Sequence, residues 1–405
     1  MPRRRSTQGD WITLLPAFVL LWCTGVYLRT PILMAPPLAP LIADDMNLGS
    51  VGIGALTTIP ILLLSVAALA GAFMITIVGA RRAVACGLLI VAAASAGRGL
   101  TLEAWQLFLL TGVMGFGIAV VQPALPALLT IWCPRRIALG TTVYMNGMLV
   151  GEVVGAGLTI PVFLPMAGGD WRLALVLVSM PAALVAFAVF GRVRGEGVAA
   201  GPVPRWMPVW NSFRVWRLGL LLGATGSLFF GVNAYMATIL AGRGDQDLLA
   251  PGLLLFNTGQ VIASLLAFRY APRWLGRSGP VLIMLCGALA ALILFASLSG
   301  IPALMAAFLV SFTSATILIL LVSLPPVIAE RDSPAALAAG MFTIGYAFSF
   351  LVPMLGGVLV DLTGRPLASL LPPFIAAVAA IPLAAGIGSL KRAQGAQQGP
   401  PGNDS

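Results

Sequence analysis

Twelve stretches of this chain, most about twenty residues or longer, run almost without a charge. Backbone N–H and C=O groups cannot be left bare in hydrocarbon, so only a helix or a closed barrel can cross a bilayer. Barrel strands alternate polar and apolar side chains at every second position. These runs are continuously apolar and have the length of about 20 residues that a helix needs to span. The sequence therefore predicts an all-α polytopic membrane protein with twelve transmembrane helices. The spans fall at about 12–42, 49–78, 83–99, 104–131, 138–165, 172–190, 215–240, 249–270, 279–298, 301–328, 335–360 and 367–388. The 405 residues are 59% hydrophobic and only 9% charged, a surface too poor in polar groups for a soluble chain of this size.

A net charge of +10 invites a nucleic-acid reading, but its distribution points to orientation in a membrane. With both termini placed in the cytoplasm, 18 of the 23 Lys and Arg residues fall on that side. Arg29, Arg98, Arg172, Arg243 and Arg365 do not, and the acids Asp44, Asp45, Glu103, Asp170, Asp245, Asp247 and Asp361 also lie outside. This is the asymmetry of the positive-inside rule. It predicts a multi-pass protein of the cell (inner) membrane and no nucleic-acid partner. The leading MPRRRSTQGDW imitates a secretory signal, yet its apolar run is too long, lacks a small-residue cleavage site and precedes eleven more spans. It is expected to open the first membrane helix.

Six spans precede a Gly-, Pro- and Arg-rich connection around 191–214, and six follow it. The expected organisation is a six-helix bundle over 1–190, a cytoplasmic linker over 191–214, a second six-helix bundle over 215–390 and a disordered tail over 391–405. A shift of about 200 residues superimposes the halves: IALGTTVYMNG (137–147) on LAAGMFTIGYA (337–347), QPALPALL (122–129) near VSLPPVIA (322–329), and GVYLRT (25–30) on GSLFFG (226–231). Two pseudo-repeats with a long central loop are a transporter layout.

Four stretches carry a family likeness: YLRTP (27–31), LTTIPIL (56–62), GFGIAVVQPALPALL (115–129) and FTIGYAFSFLVPMLGGVL (342–359). With the 6+6 layout, they make the chain resemble the major facilitator superfamily, and within it the cyanate and 2-nitroimidazole permeases. The resemblance implies the major facilitator fold and a secondary transporter for a small polar or anionic solute. One departure is plain. Of the superfamily's loop between helices 2 and 3, only GARR (79–82) remains, with Thr76 and Ile77 where Asp and Arg would stand.

Arg29 is the sharpest candidate for substrate contact. An arginine near a bilayer centre costs roughly 2.5–3.5 kcal/mol on insertion scales, so it normally faces a cavity or a partner. Its flat fork of five donors suits a carboxylate, cyanate or nitro group. Pro31, Pro36 and Pro37 follow it, predicting a helix break just outward and a water-accessible cavity there. The competing reading is a structural pairing with an acid. Glu152 is the acid placed to supply it, the one carboxylate well inside a span. Glu152 is either a proton carrier, since a carboxyl out of water favours its neutral form, or the counter-ion of Arg29. Gly147, Gly151 and Gly155 recur around it every four residues, a stripe for close helix packing. The segment resembles the helix-5 signature of drug/proton antiporters, Gly–x₃–Gly–Pro–x₂–Gly–Gly, but Glu152 replaces the proline and Ala156 the last glycine.

Neutral polar residues within spans act as interhelical glue or line a cavity. Gln122 beside Pro123, Asn146 and Tyr346 at repeat-equivalent positions, and Asn257 with Gln260 on one helix face are the candidates for lining. Asn233 and Tyr235 read as glue, and Arg98, beside Glu103, as interfacial. The four cysteines lack paired spacing, and the chain has no histidine. Neither a metal site nor a cofactor is expected, and a catalytic site is not. The leading expectation is a monomeric secondary transporter working by alternating access on a small-molecule substrate, with protons a candidate coupling ion. The alternatives are a proton-coupled multidrug exporter and, less favoured, a non-transporting receptor or channel.

Overall fold

The computed structural model describes residues 8–66, 74–75, 77–134, 136–192, 210, 212–328 and 334–389. Most of the linker and the whole tail named above, with Thr76, lie outside these residues. The elements are α1 (Gln8–Leu33), α2 (Ala35–Met46), α3 (Ser50–Val66), α4 (Ala80–Arg98), α5 (Ala104–Trp132), α6 (Ile137–Gly157) and α7 (Trp171–Gly191). They continue with α8 (Phe213–Arg243), α9 (Leu249–Trp274), α10 (Ser278–Ser297), α11 (Gly300–Val322), α12 (Pro334–Thr363) and α13 (Leu371–Ala379). Among the described residues there is no strand.

Among the described residues, ten stretches of helix are long and apolar enough to cross a membrane, and α6 with its bent continuation makes an eleventh. The described part of the second predicted span, α3, is a shorter apolar helix of 17 residues. Helix breaks follow the chain chemistry. The α6 continuation bends by 57° through a five-residue π turn, Thr159–Phe163. Pro161, with no N–H to give, interrupts the regular ladder there. Helix starts carry their own signals. Glu103 and Gln106 form a reciprocal capping box on α5, and the Asp170 carboxylate accepts from the backbone N–H of Arg172 at 2.8 Å at the start of α7.

The chain divides into two compact units, one of residues 1–201 with 249–257 and one of 202–248 with 258–405. In the first, α1 packs most extensively on α6; in the second, α8 packs most extensively on α12. These are equivalent pairs under the 200-residue shift. A second correspondence lies at the other helix ends. Arg81 donates to the carbonyls of Phe190 and Arg192, both at 3.0 Å, and Ser278 donates to that of Ala385 at 2.7 Å.

The α1–α6 seam shows what the glycine stripe is for. A methyl group on Gly147, Gly151 or Gly155 would strike the backbone carbonyls of Trp22, Val26 and Thr30 respectively, and one on Gly25 that of Tyr144. Four-residue spacing on both helices sets backbone against backbone. The Thr30 hydroxyl sits across this seam, 3.0 Å from Val26 O and 3.1 Å from Gly151 O.

Candidate functional site

Close packing at Thr30 and Gly151 brings their chain neighbours Arg29 and Glu152 together. Arg29 Nε lies 3.5 Å from Glu152 Oε1, and both side chains are nine-tenths buried. A guanidinium cannot shed its charge in a protein, so the carboxylate beside it offsets a penalty that burial alone would impose. The offset is incomplete in hydrogen-bonding terms. Arg29 Nε and Nη1 are both buried and donate to no acceptor. A buried donor left unmade carries a desolvation penalty of about 1–3 kcal/mol, more for a charged group. The fork is charge-paired and still short of acceptors.

Asn146 lies on the same helix as Glu152 and accepts, through Oδ1, from Trp22 Nε1 at 3.0 Å. Its oxygen is thus engaged by an indole of α1. Gln122 lies half-buried on α5, beside Pro123. Asn257 is fully buried and turns its amide N–H back to Leu253 O of its own helix at 2.9 Å. Gln260, one turn on, is also buried. Tyr346 stacks on Phe342 with ring centroids 5.6 Å apart. Asn233 is buried, and Tyr235 donates to Pro353 O at 3.0 Å, tying α8 to α12. Of the predicted residues, Arg29 with Glu152 form the charged contact, and Asn146 joins α6 to α1.

One expectation is corrected. The break after Arg29 is one residue long, at Met34, and α2 starts directly with Pro36 and Pro37 in its first turn. Met34, Ala35, Leu38 and Ile42 are buried in an apolar cluster with Leu56, Leu107, Trp171 and Leu175. Prolines at a helix start need no N–H, and among the described residues the break packs against protein. Arg98, the last residue of α4, is 2% exposed and so lies against protein. Its Nη2 donates to Pro31 O at 2.9 Å and to Ser95 Oγ at 3.1 Å, so an arginine of α4 takes up a carbonyl next to the break. Further out, Asp45 at the end of α2 pairs with Arg172 Nη1 and accepts from Trp171 Nε1 at 3.2 Å. The outer half of the first span is pinned at both ends.

Removing the Arg98 charge should therefore loosen this span. Arg98→Gln is expected to lower stability by about 2 kcal/mol, the loss of a charge-assisted bond to a buried carbonyl. Arg98→Lys should recover part of it, read as the thermal unfolding midpoint of the detergent-purified protein.

Membrane-crossing helices in two packed units, with a charge pair buried against the first helix, define a multi-pass membrane protein of transporter architecture. The model of the Major Facilitator Superfamily matches residues 21–331, and the chain belongs to that superfamily of membrane transporters. It is similar to the 2-nitroimidazole transporter of Escherichia coli (strain K12), 27% identical over 251 residues, 61% of this chain and 63% of that protein. The alignment thus spans less than two thirds of that relative. The chain is also 25% identical over 367 residues to the cyanate transport protein CynX of the same organism, covering 84% and 89% of the two chains. The inward open structure of the xylose transporter XylE from E. coli matches with a TM-score of 0.73 at 11% identity, over 91% of this chain and 95% of that one.

Proposed function

We propose that the chain is a secondary transporter that moves a small polar or anionic solute, cyanate-like or nitroimidazole-like, by alternating access, with Arg29 as the anchor. The observation that carries this reading is the buried Arg29 fork, whose Nε and Nη1 lack acceptors although Glu152 stands 3.5 Å away. A planar anion or nitro group supplies two acceptors in the geometry a guanidinium prefers. The names of the two E. coli relatives favour the same solute class. Gln122, Asn146, Tyr346, Asn257 and Gln260 are the neutral groups proposed to contact the solute.

Glu152 is the proposed coupling group. Ionised, it neutralises Arg29; protonated, it releases the guanidinium to a substrate anion, so proton and anion travel together. The protein acts as a monomer in the inner membrane with both termini in the cytoplasm, in keeping with its arginine distribution.

The test is binding and transport by the full chain. Potassium cyanate and 2-nitroimidazole should each raise the unfolding midpoint of the wild-type protein and leave that of Arg29→Gln unmoved. A probe that stabilises both proteins equally removes Arg29 as anchor. In proteoliposomes with an imposed pH gradient, Glu152→Gln should abolish the dependence of uptake on that gradient. Unchanged dependence takes Glu152 out of the proton route.

A further inference from the structure

Trp22 stands seven residues before Arg29 on α1. Two helical turns bring the residues onto one face, about 10 Å apart along the axis. Trp22 lies eight residues into the apolar stretch that starts at Leu14. Its backbone is fixed against Gly147 by the α1–α6 seam, and its Nε1–H is held by Asn146 Oδ1 at 3.0 Å. The residue remains 37% exposed.

What this residue faces follows from its hydrogen-bond partner. Asn146 is only half-buried, in the middle of α6. A primary amide has two donors and an acceptor to satisfy, and in hydrocarbon it would find nothing for its donors. Water or a solute serves this amide better than hydrocarbon does. An indole held at its polar edge and still partly exposed is a rigid platform for another flat ring.

We propose that Trp22 is a specificity-determining residue of the Arg29 site. Its indole, oriented by Asn146, stacks on a planar heteroaromatic solute, and Asn146 acts as a positioning residue through that indole. This rests on the transport reading above and narrows the substrate class to flat aromatic rings bearing a nitro or anionic group. A linear anion such as cyanate uses Arg29 without the platform.

Calorimetric titration of the detergent-purified full chain with 2-nitroimidazole and, separately, potassium cyanate tests it. Stacking of a base on an aromatic side chain is worth about 1–3 kcal/mol, or roughly 5- to 150-fold in affinity. Trp22→Ala should weaken 2-nitroimidazole binding about tenfold or more and leave cyanate within about twofold. Trp22→Phe should keep most of the affinity for the ring, and Asn146→Leu should weaken 2-nitroimidazole more than cyanate. Trp22→Leu serves in place of the alanine variant if that one fails to fold. The inference is overturned by Trp22→Ala binding 2-nitroimidazole like wild type, by equal loss of both probes, or by a wild type that binds cyanate only. A wild type that binds neither probe, or an Arg29→Gln variant that binds both normally, instead sinks the transport reading, and this inference with it.

Discussion

Gly151→Leu should yield a protein that no longer holds its first bundle together. A methyl group at this position already meets the Val26 carbonyl inside van der Waals contact, with Val26 Cα and C both at 2.9 Å. The obstacle is backbone, so no rotamer change relieves it. Overpacking a core usually costs about 1–3 kcal/mol when neighbours can shift; here α1 and α6 must separate as rigid rods, so the loss should reach or pass the top of that range. Separation would also undo the Thr30 hydroxyl contact with Gly151 O and pull Arg29 from Glu152. Gly151→Ala should show a smaller loss of the same sign. Gly279→Ala is the control: nothing stands within 4 Å of an added methyl there, and alanine is the better helix former. Thermal unfolding followed by size-exclusion profile reads all three. A Gly151→Leu protein as stable and monodisperse as wild type would show that the seam is not where the bundle is held.

The fold was legible because hydrocarbon leaves a chain few options. Length and continuity of the apolar runs dictate helices, and the span boundaries followed within a few residues: 172–190 against Trp171–Gly191, 279–298 against Ser278–Ser297. The glycine stripe was visible as a period of four, but its partner was not. Nothing in the sequence says that Gly147, Gly151 and Gly155 meet the carbonyls of Trp22, Val26 and Thr30, because backbone acceptors carry no residue signature. The same blindness hid Arg98. Its acceptor is the carbonyl of Pro31, 67 residues away in the chain, so the one nearby acid, Glu103, looked like the better explanation. Of the three prolines after Arg29, Pro31 stays inside α1, while Pro36 and Pro37 open α2, since proline serves the first turn of a new helix as well as it ends an old one. Trp22 and Asn146 were each visible alone; only the seam between their helices turns them into a pair.

Glu152→Leu should destabilise the protein more than Arg29→Leu does, and the double variant should be more stable than either. Breaking a buried pair from one side leaves an uncompensated charge, typically about 3–5 kcal/mol. The two stranded charges are not equivalent. A carboxyl left alone escapes by taking a proton, whereas a guanidinium stays charged at any accessible pH. Loss of Glu152 therefore strands the worse group, with Arg29 only 8% exposed. Replacing both by leucine removes the penalty, and buried pairs exchanged for apolar residues are often neutral or better. Midpoints of thermal unfolding for the four proteins close this cycle, and additive single effects would mean that the 3.5 Å contact carries no coupling. The Glu152→Leu protein also separates an internal ion pair from an anion site. With its resident carboxylate gone, the Arg29 fork should recruit an external anion, so potassium cyanate should raise this variant's midpoint more than that of wild type. The Arg29→Leu/Glu152→Leu protein should show no response and no transport. If cyanate fails to rescue Glu152→Leu, Arg29 belongs to the scaffold alone and the solute is bound elsewhere.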